Sequence, residues 1–440
     1  MAEVTVVGGG LAGCEAALAL ADRGRRVELV EMRPVQATAA HQTDGLAELV
    51  CTNSFKSEDA ANAHGQLKRE MAALGSGLLA AARVSRVPAG SALAVDRALF
   101  SQAFSAAVHA HPGVEVVRRE VTDIPDGPAI IATGPLTSDP LAESIGRLLG
   151  AEGLSYFDAI APIVHGESLD REVVFPAGRF GEDDDYMNCP MDRDRYEAFI
   201  DQLLAADVHE GHDWDQVPYF EGCLPIEVMA SRGRDTLRFG PMKPIGLTDP
   251  RTGDRPWAVV QLRREDRHGQ MWNLVGFQTR LRLGEQGRVF RSIPGLEAAE
   301  FLRWGSIHRN TYLNFPALLS PFGAPASRAD VYFAGQLTGV EGYTESAASG
   351  IVAALNLDRV LSGKDPVAPP SETMLGGLFR YLREASPKRF QPMNSNWGLV
   401  DPLPDPPRRK ADRRAALAER AQRAFTAWLE SIGTVPVEAS

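Results

Sequence analysis

Apolar and polar positions along this chain alternate between two periods. Val4-Thr5-Val6-Val7 is a β-branched run that stops at glycine, and Leu11, Ala12, Glu15, Ala16, Leu18, Ala19 and Ala21 then follow helical spacing. A second run, Val27-Glu28-Leu29-Val30-Glu31, completes a β-α-β unit over residues 3–31, which Arg33-Pro34 ends. Residues 36–60 read as a polar loop and residues 62–83 as helical. Asp96 is placed to cap a helix running from Arg97 to about His109, and a strand pair is expected at Val114–Val117 and Ala129–Ala132. The pattern then changes. Residues 155–310 carry aromatics, turns at Asp249-Pro250 and Asp254, and strand-like runs at Trp257–Leu262 and Met271–Phe277. Strand-then-helix order returns at Val331–Ala334, with a helix to about Leu361. Pro-rich residues 402–407 form a linker. A last amphipathic helix, Ala411 to Ile432, aligns Leu417, Ala421, Phe425, Trp428 and Leu429.

Gly8-x-Gly10-x-x-Gly13 falls between the first strand and the first helix, the setting in which this spacing binds a dinucleotide. Gly8 permits the turn, Gly10 lets backbone approach a pyrophosphate, and Gly13 lets helix and strand pack closely. Gly9, Leu11 and Ala12 complete the loop, whose helix-start N–H groups face the phosphates. Glu31 follows Gly13 by eighteen residues, near the spacing of a ribose-binding acid. At the other end, Gly335-Gln336 closes a strand, and Gly342-Tyr343 opens a helix. That arrangement holds the ribityl and pyrophosphate of FAD in flavoproteins, so the two ends favour FAD over a bare nicotinamide site. The fold expected is α/β: a Rossmann-like FAD-binding domain of the glutathione-reductase type, in two parts (1–154 and 311–440). Between them lies an inserted α+β substrate domain, 155–310.

Composition narrows the class. With 44% hydrophobic and 23% charged residues and no apolar run long enough for a bilayer, a cytoplasmic enzyme away from membranes is expected. The net charge of −11 disfavours indiscriminate nucleic-acid binding. Yet residues 232–291 hold thirteen Lys/Arg and six Asp/Glu, a basic island suited to docking one polyanion or simply to a solvated face. The four cysteines form no Cys-x-x-Cys pair, so no metal site is expected, and Cys14 and Cys189 read as structural. Cys51 lies where a glutathione-reductase-like chain passes the isoalloxazine. Cys223 precedes Arg232, Arg234 and Arg238, whose charge would favour its thiolate. For each of these two cysteines alone, a structural role remains open.

Together, the glycine loop, Val50-Cys51-Thr52-Asn53-Ser54-Phe55-Lys56-Ser57, Gly222-Cys223-Leu224-Pro225-Ile226-Glu227 and Gly335-Gln336-Leu337-Thr338-Gly339-Val340-Glu341-Gly342-Tyr343 resemble the folate- and FAD-dependent tRNA (uracil-5-)-methyltransferases. These are short relatives of the GidA-type tRNA-modifying flavoproteins. Gln336 departs from flavoproteins at large, where an aspartate meets the ribityl chain, but belongs to the narrower pattern. The resemblance implies methylation of the T-loop uridine at tRNA position 54. The carbon would come from 5,10-methylenetetrahydrofolate and the electrons from FAD reduced by NAD(P)H. Uracil C5 becomes nucleophilic only after a thiolate adds at C6, and another group must then take the C5 proton. Cys223 is assigned the attack and Cys51 the flavin side, with the exchanged assignment open. His308 is expected to stack the folate pterin, or else to be an interdomain histidine. Arg280, Arg282, Arg288 and Arg291 are expected on tRNA phosphates. Rival readings are a flavin-dependent NAD(P)H/disulfide oxidoreductase, a GidA-type wobble-uridine enzyme, and a non-enzymatic flavin-bearing tRNA chaperone or redox sensor. Oligomeric state, monomer or weak dimer, is open.

Overall fold

In a computed structural model, which describes residues 2–38, 40–150, 154–179, 184–209 and 224–434, Val4–Val7 is the middle strand of five. The order is Val331–Phe333, Ala129–Ile131, Val4–Val7, Val27–Glu31, Val114–Arg118, and every pairing is parallel. The first strand's neighbours therefore come from opposite directions in sequence, and a crevice opens at the strands' carboxyl ends. The stretches 114–117 and 129–132 are strands, but they are not a pair: one is the sheet's edge, the other lies beyond the first strand.

The helix Leu11–Ala21 packs on this sheet and against the helix Tyr343–Leu361. Small residues set that closeness. A Cβ on Gly13 would overlap the Gly8 carbonyl, and one on Gly350 would overlap the Ala12 carbonyl. The helical stretch after residue 62 divides into Ala63–Ala73 and Gly77–Val84, with Gly75 between them at φ +80°. Asp96 caps Arg97–Ala110 by accepting from Leu99 N at 3.1 Å. The tail helix, Lys410–Ser431, buries Leu417, Ala421, Phe425, Trp428 and Leu429 and packs on Ala63–Ala73.

Residues 36–60 are not loop throughout. Ser54–Ser57 pairs antiparallel with Ala92–Val95, which also pairs with Arg86–Val87. The short strand hides Phe55 while Ser54, Lys56 and Ser57 stay half-buried, and that alternation was masked in sequence by the polar residues around it. Residues 163–303 build a separate six-stranded antiparallel sheet with its own apolar core around Tyr196, Phe199, Phe277 and Phe290. The strands Leu154–Ile160 and Ser306–Tyr312 pair antiparallel where the chain leaves and returns. Among the described residues, no helix is long and apolar enough to cross a membrane.

Candidate active site

The crevice is lined by Gly8, Gly10, Leu11, Ala12, Glu31, Gly335, Gln336 and Tyr343, with Val50 and Ala132–Ser138. Gly8 reverses the chain at φ +105°, a conformation glycine adopts without steric cost. Gly10 is the N-cap of the first helix, and no side chain caps that end. A Cβ on Gly10 would meet nothing within 4 Å. Uncapped N–H groups beside open space are what a pyrophosphate requires, so the residues fit an FAD diphosphate.

Glu31 does more than face a ribose. Its Oε2 accepts from Gly9 N at 2.8 Å, and its Oε1 accepts from Arg33 N at 2.9 Å and Arg33 Nε at 2.8 Å. Burial pushes this carboxyl up, but Arg33 and the Gly9 amide outweigh it and hold the group below the usual range. A carboxylate has about four acceptor positions, so Glu31 can brace the glycine loop and still take a hydroxyl. Across the crevice, Gly335 N donates to Ser349 Oγ at 2.7 Å, and Gln336 Nε2 donates to Glu341 Oε2 at 3.0 Å.

Cys51 follows Val50, which lines this crevice, and its Sγ lies 3.1 Å from the hydroxyl of Tyr343, which lines it too. Several elements fix that position. Arg97, from the first turn after Asp96, donates to the Leu49 carbonyl at 2.6 Å and pairs with Glu265 at 2.5 Å. Arg263 and Glu265 come from the end of the strand Ala258–Arg264 in the antiparallel sheet and the residue after it. Arg263 donates to Thr52 Oγ1 and Asn53 Oδ1 at 2.7 and 3.0 Å. Asn53, fully buried, donates through Nδ2 to the carbonyls of Val95 and Arg264, both at 2.8 Å. Arg303 also sits close enough for burial and Arg97 to lower its pKa, with Tyr343 and Cys51 pulling the other way. Arg97, Arg263, Glu265 and Arg303 were not singled out in sequence. The available signal was the charged end, Arg263-Arg264-Glu265, on an otherwise apolar strand.

Tyr343 begins its helix just after Gly342, whose φ of +112° favours glycine. Two residues on, the fully buried Glu345 accepts from Ser395 N at 3.0 Å and Thr344 Oγ1 at 2.8 Å, with His64 Nδ1 at 3.2 Å. Burial raises its pKa, but His64 and Lys56 more than reverse that, so it stays an anion at the helix N-terminus.

Other expected site residues lie elsewhere. Cys223 falls outside the described residues. His308 is in the strand Ser306–Tyr312, in register with Asp158. Arg280 N donates to Glu227 Oε1 at 2.8 Å, and Arg288 pairs with Glu285 at 2.5 Å. Arg291 lies over the stacked rings of Phe301 and Trp304, and Arg282, exposed, donates to the Val208 carbonyl at 3.3 Å. Part of the basic island serves the fold: Arg234 pairs with Glu197 and Asp201, Arg251 with Asp249, and Arg238 lies over Trp257. Cys14 and Cys189 are buried thiols.

The family described as Glucose inhibited division protein A matches residues 3–365. The chain is 54% identical over 432 residues to the methylenetetrahydrofolate–tRNA-(uracil-5-)-methyltransferase TrmFO of Geobacter sulfurreducens, covering 98% of this chain and 99% of that one. It is 52% identical over 432 residues to a TrmFO of Thermus thermophilus, covering 98% and 97%. The fold is similar to that of Aquifex aeolicus GidA, with a TM-score of 0.67 at 17% identity, over 98% of this chain and 76% of that chain. Half the sequence shared along nearly the whole of both chains, on a GidA-like fold, means that this chain belongs to the methylenetetrahydrofolate–tRNA-(uracil-5-)-methyltransferase (TrmFO) family.

Proposed function

We propose that this chain methylates C5 of the T-loop uridine of tRNA, at position 54, with 5,10-methylenetetrahydrofolate as carbon donor. The observation that carries the reading is Cys51, fixed against Tyr343, a residue that lines a dinucleotide crevice, in a chain of this family. FAD, when bound, supplies the reducing equivalents, and NAD(P)H restores them. Gly8–Gly13, Glu31, Gly335, Gln336 and Gly342 hold it.

The protein's own groups divide the remaining work. One thiolate adds to uracil C6 and makes C5 nucleophilic; the other group, on the crevice side, takes the C5 proton or receives the transferred carbon. Cys223 has the first role and Cys51 the second. Support for Cys51 is its place beside the crevice, and support for Cys223 is its sequence context. The chain divides into an FAD-binding part, 1–154 and 311–440, and a substrate part, 155–310. His308 stacks the pterin, and Arg280, Arg282, Arg288 and Arg291 meet tRNA phosphates. The protein works in the cytoplasm. The wobble-uridine alternative rests on the broad family match and on a likeness of fold at 17% identity, whereas the relatives at 52–54% identity are uracil-5-methyltransferases.

The test is direct. Purified protein is incubated with tRNA lacking T-loop modification, methylenetetrahydrofolate and NADPH, and the digested RNA is examined for 5-methyluridine. No product sinks the reading. Cys223→Ala should abolish product while flavin content stays; retained activity would remove Cys223 from the attack.

A further inference from the structure

Among the described residues, the Tyr343 hydroxyl has three hydrogen-bonding neighbours, and together they determine where its proton points. Cys51 N lies 2.9 Å from the oxygen and Thr52 N lies 3.3 Å from it. Both are backbone amides, which can only donate. A phenol oxygen has two acceptor positions and one proton, so two incoming N–H groups fill the acceptor side. The third neighbour, Cys51 Sγ at 3.1 Å, must then accept the O–H proton rather than donate its own. Sulfur accepts best as a thiolate, because hydrogen bonds to an ionised partner are about twice as strong.

The surroundings act in the same direction. Burial pushes Tyr343 well above the ordinary phenol range, and charge on Cys51 adds to it, so the phenol keeps its proton to donate. Arg97 is coupled to both groups through their charges. Phe55 packs against the phenol ring, with centroids 5.9 Å apart, and Phe100 packs behind Phe55 at 5.1 Å. The ring therefore has little room to swing away from the sulfur.

From this geometry we infer that Tyr343 is the positioning residue for Cys51: its hydroxyl, oriented by the Cys51 and Thr52 amides, donates to Sγ and holds that thiol as a thiolate in the working enzyme. The inference rests on the proposed role of Cys51 but makes a separate claim, about ionisation rather than product.

The experiment reads ionisation without turnover. Holoenzyme is treated with iodoacetamide across pH 5.5–9.5, and alkylation of Cys51 is followed by peptide mass spectrometry, which separates it from the other three cysteines. Tyr343→Phe removes the donor and leaves the ring. Its alkylation midpoint should rise by about one pH unit, so that the Cys51 rate near neutral pH falls about tenfold. A midpoint that does not move overturns the inference. If the phenylalanine variant loses its flavin or its melting transition, 3-fluorotyrosine placed at 343 serves instead. A more acidic phenol is a stronger donor, so the midpoint should fall; a rise or no change overturns the inference. Failure of wild-type protein to make 5-methyluridine, with the midpoint shift intact, would count against the proposed reaction alone.

Discussion

Arg263 Nη2 reaches 2.7 Å from Thr52 Oγ1, which joins the antiparallel sheet to the segment that carries Cys51. The same guanidinium holds the buried Asn53 amide, and Asn53 in turn bonds the backbone of Arg264. Two residues on from Arg263, Glu265 pairs with Arg97, which grips Leu49. The cysteine segment is thus clamped on both sides of residue 51, by Arg97 at the start of a helix on one side and by Arg263 of the antiparallel sheet on the other.

Arg263→Ala should therefore loosen Cys51 without touching the crevice. The variant loses two hydrogen bonds from a charged donor and leaves the Asn53 carbonyl oxygen buried, a cost of about 3 kcal/mol. Flavin content should stay near wild type, while formation of 5-methyluridine falls by roughly 10- to 100-fold. The measurement pairs an absorbance spectrum with a turnover assay. Loss of flavin in step with activity would show that the clamp serves the crevice instead.

Two buried carboxyls should give stability a pH dependence of unusual sign. Glu15 accepts from Ser76 Oγ and from Gly77 and Leu78 N, and Glu70 accepts from Met374 and Leu375 N at 2.9 and 2.8 Å. Burial pushes each up to about 7, against the pull of those donors. A carboxyl whose folded pKa is raised binds more protons folded than unfolded between about 4.5 and 7. Stability from it is complete below 4.5 and is lost as pH rises to 7, by up to about 1.4 kcal/mol per pH unit for each group. Glu31 and Glu345, held low, titrate below this window. His41, lowered to about 4 by burial and Arg33, gains stability as pH rises towards 6.5 and offsets about one carboxyl's share there. Urea unfolding at pH 5, 6 and 7 should still show a net decline, and Glu70→Gln should remove one carboxyl's share of the slope. An unchanged slope would mean that Glu70 is ionised throughout.

The parallel sheet was readable because each of its strands is a short β-branched or apolar run ended by glycine, proline or charge. The glycine loop was readable for a stricter reason: Gly8 holds a positive φ and Gly13 abuts the Gly8 carbonyl, demands that glycine meets, while Gly10 leaves open space for a ligand. The strand Ser54–Ser57 was not, since four residues with one buried side chain leave almost no period. The clamp around Cys51 was hidden for another reason. Arg97, Arg263, Glu265 and Arg303 are separated by as many as about two hundred residues, and only the packing of the antiparallel sheet against the first hundred residues brings them together. Their own neighbours in sequence predict an ordinary helix start and ordinary strand ends. The basic island reads as one surface in sequence, but several of its arginines are committed to carboxylates or rings within the fold.

That division separates the arginines in solution. Arg282 is exposed, and its guanidinium donates to a backbone carbonyl, whereas Arg251 holds Asp249 through two bonds of 3.0 and 2.7 Å. If Arg282 meets a tRNA phosphate, Arg282→Ala should weaken tRNA binding and reduce the slope of log affinity against log salt by about one. Arg251→Ala should leave that slope unchanged. Filter binding over 50–300 mM salt is sufficient, and equal slopes for the two variants would remove Arg282 from the interface.

Gly10 and Gly13 should fail in different ways, which separates binding from folding within one loop. A methyl group on Gly10 points into open space, so Gly10→Ala should change apoprotein stability by no more than about 1 kcal/mol, the scale of an altered helix cap. The same methyl occupies the path of the pyrophosphate and should strip the purified protein of most of its flavin. A methyl on Gly13 overlaps the Gly8 carbonyl and forces helix and strand apart. Gly13→Ala should cost about 3 kcal/mol, the upper end for an overpacked core, and lower the melting temperature even with flavin absent. The two variants are compared by thermal melts of flavin-free protein and by flavin content as isolated. A Gly10→Ala protein that stays yellow would mean that the cofactor does not approach the chain at Gly10, and the glycine loop would then be explained by packing alone.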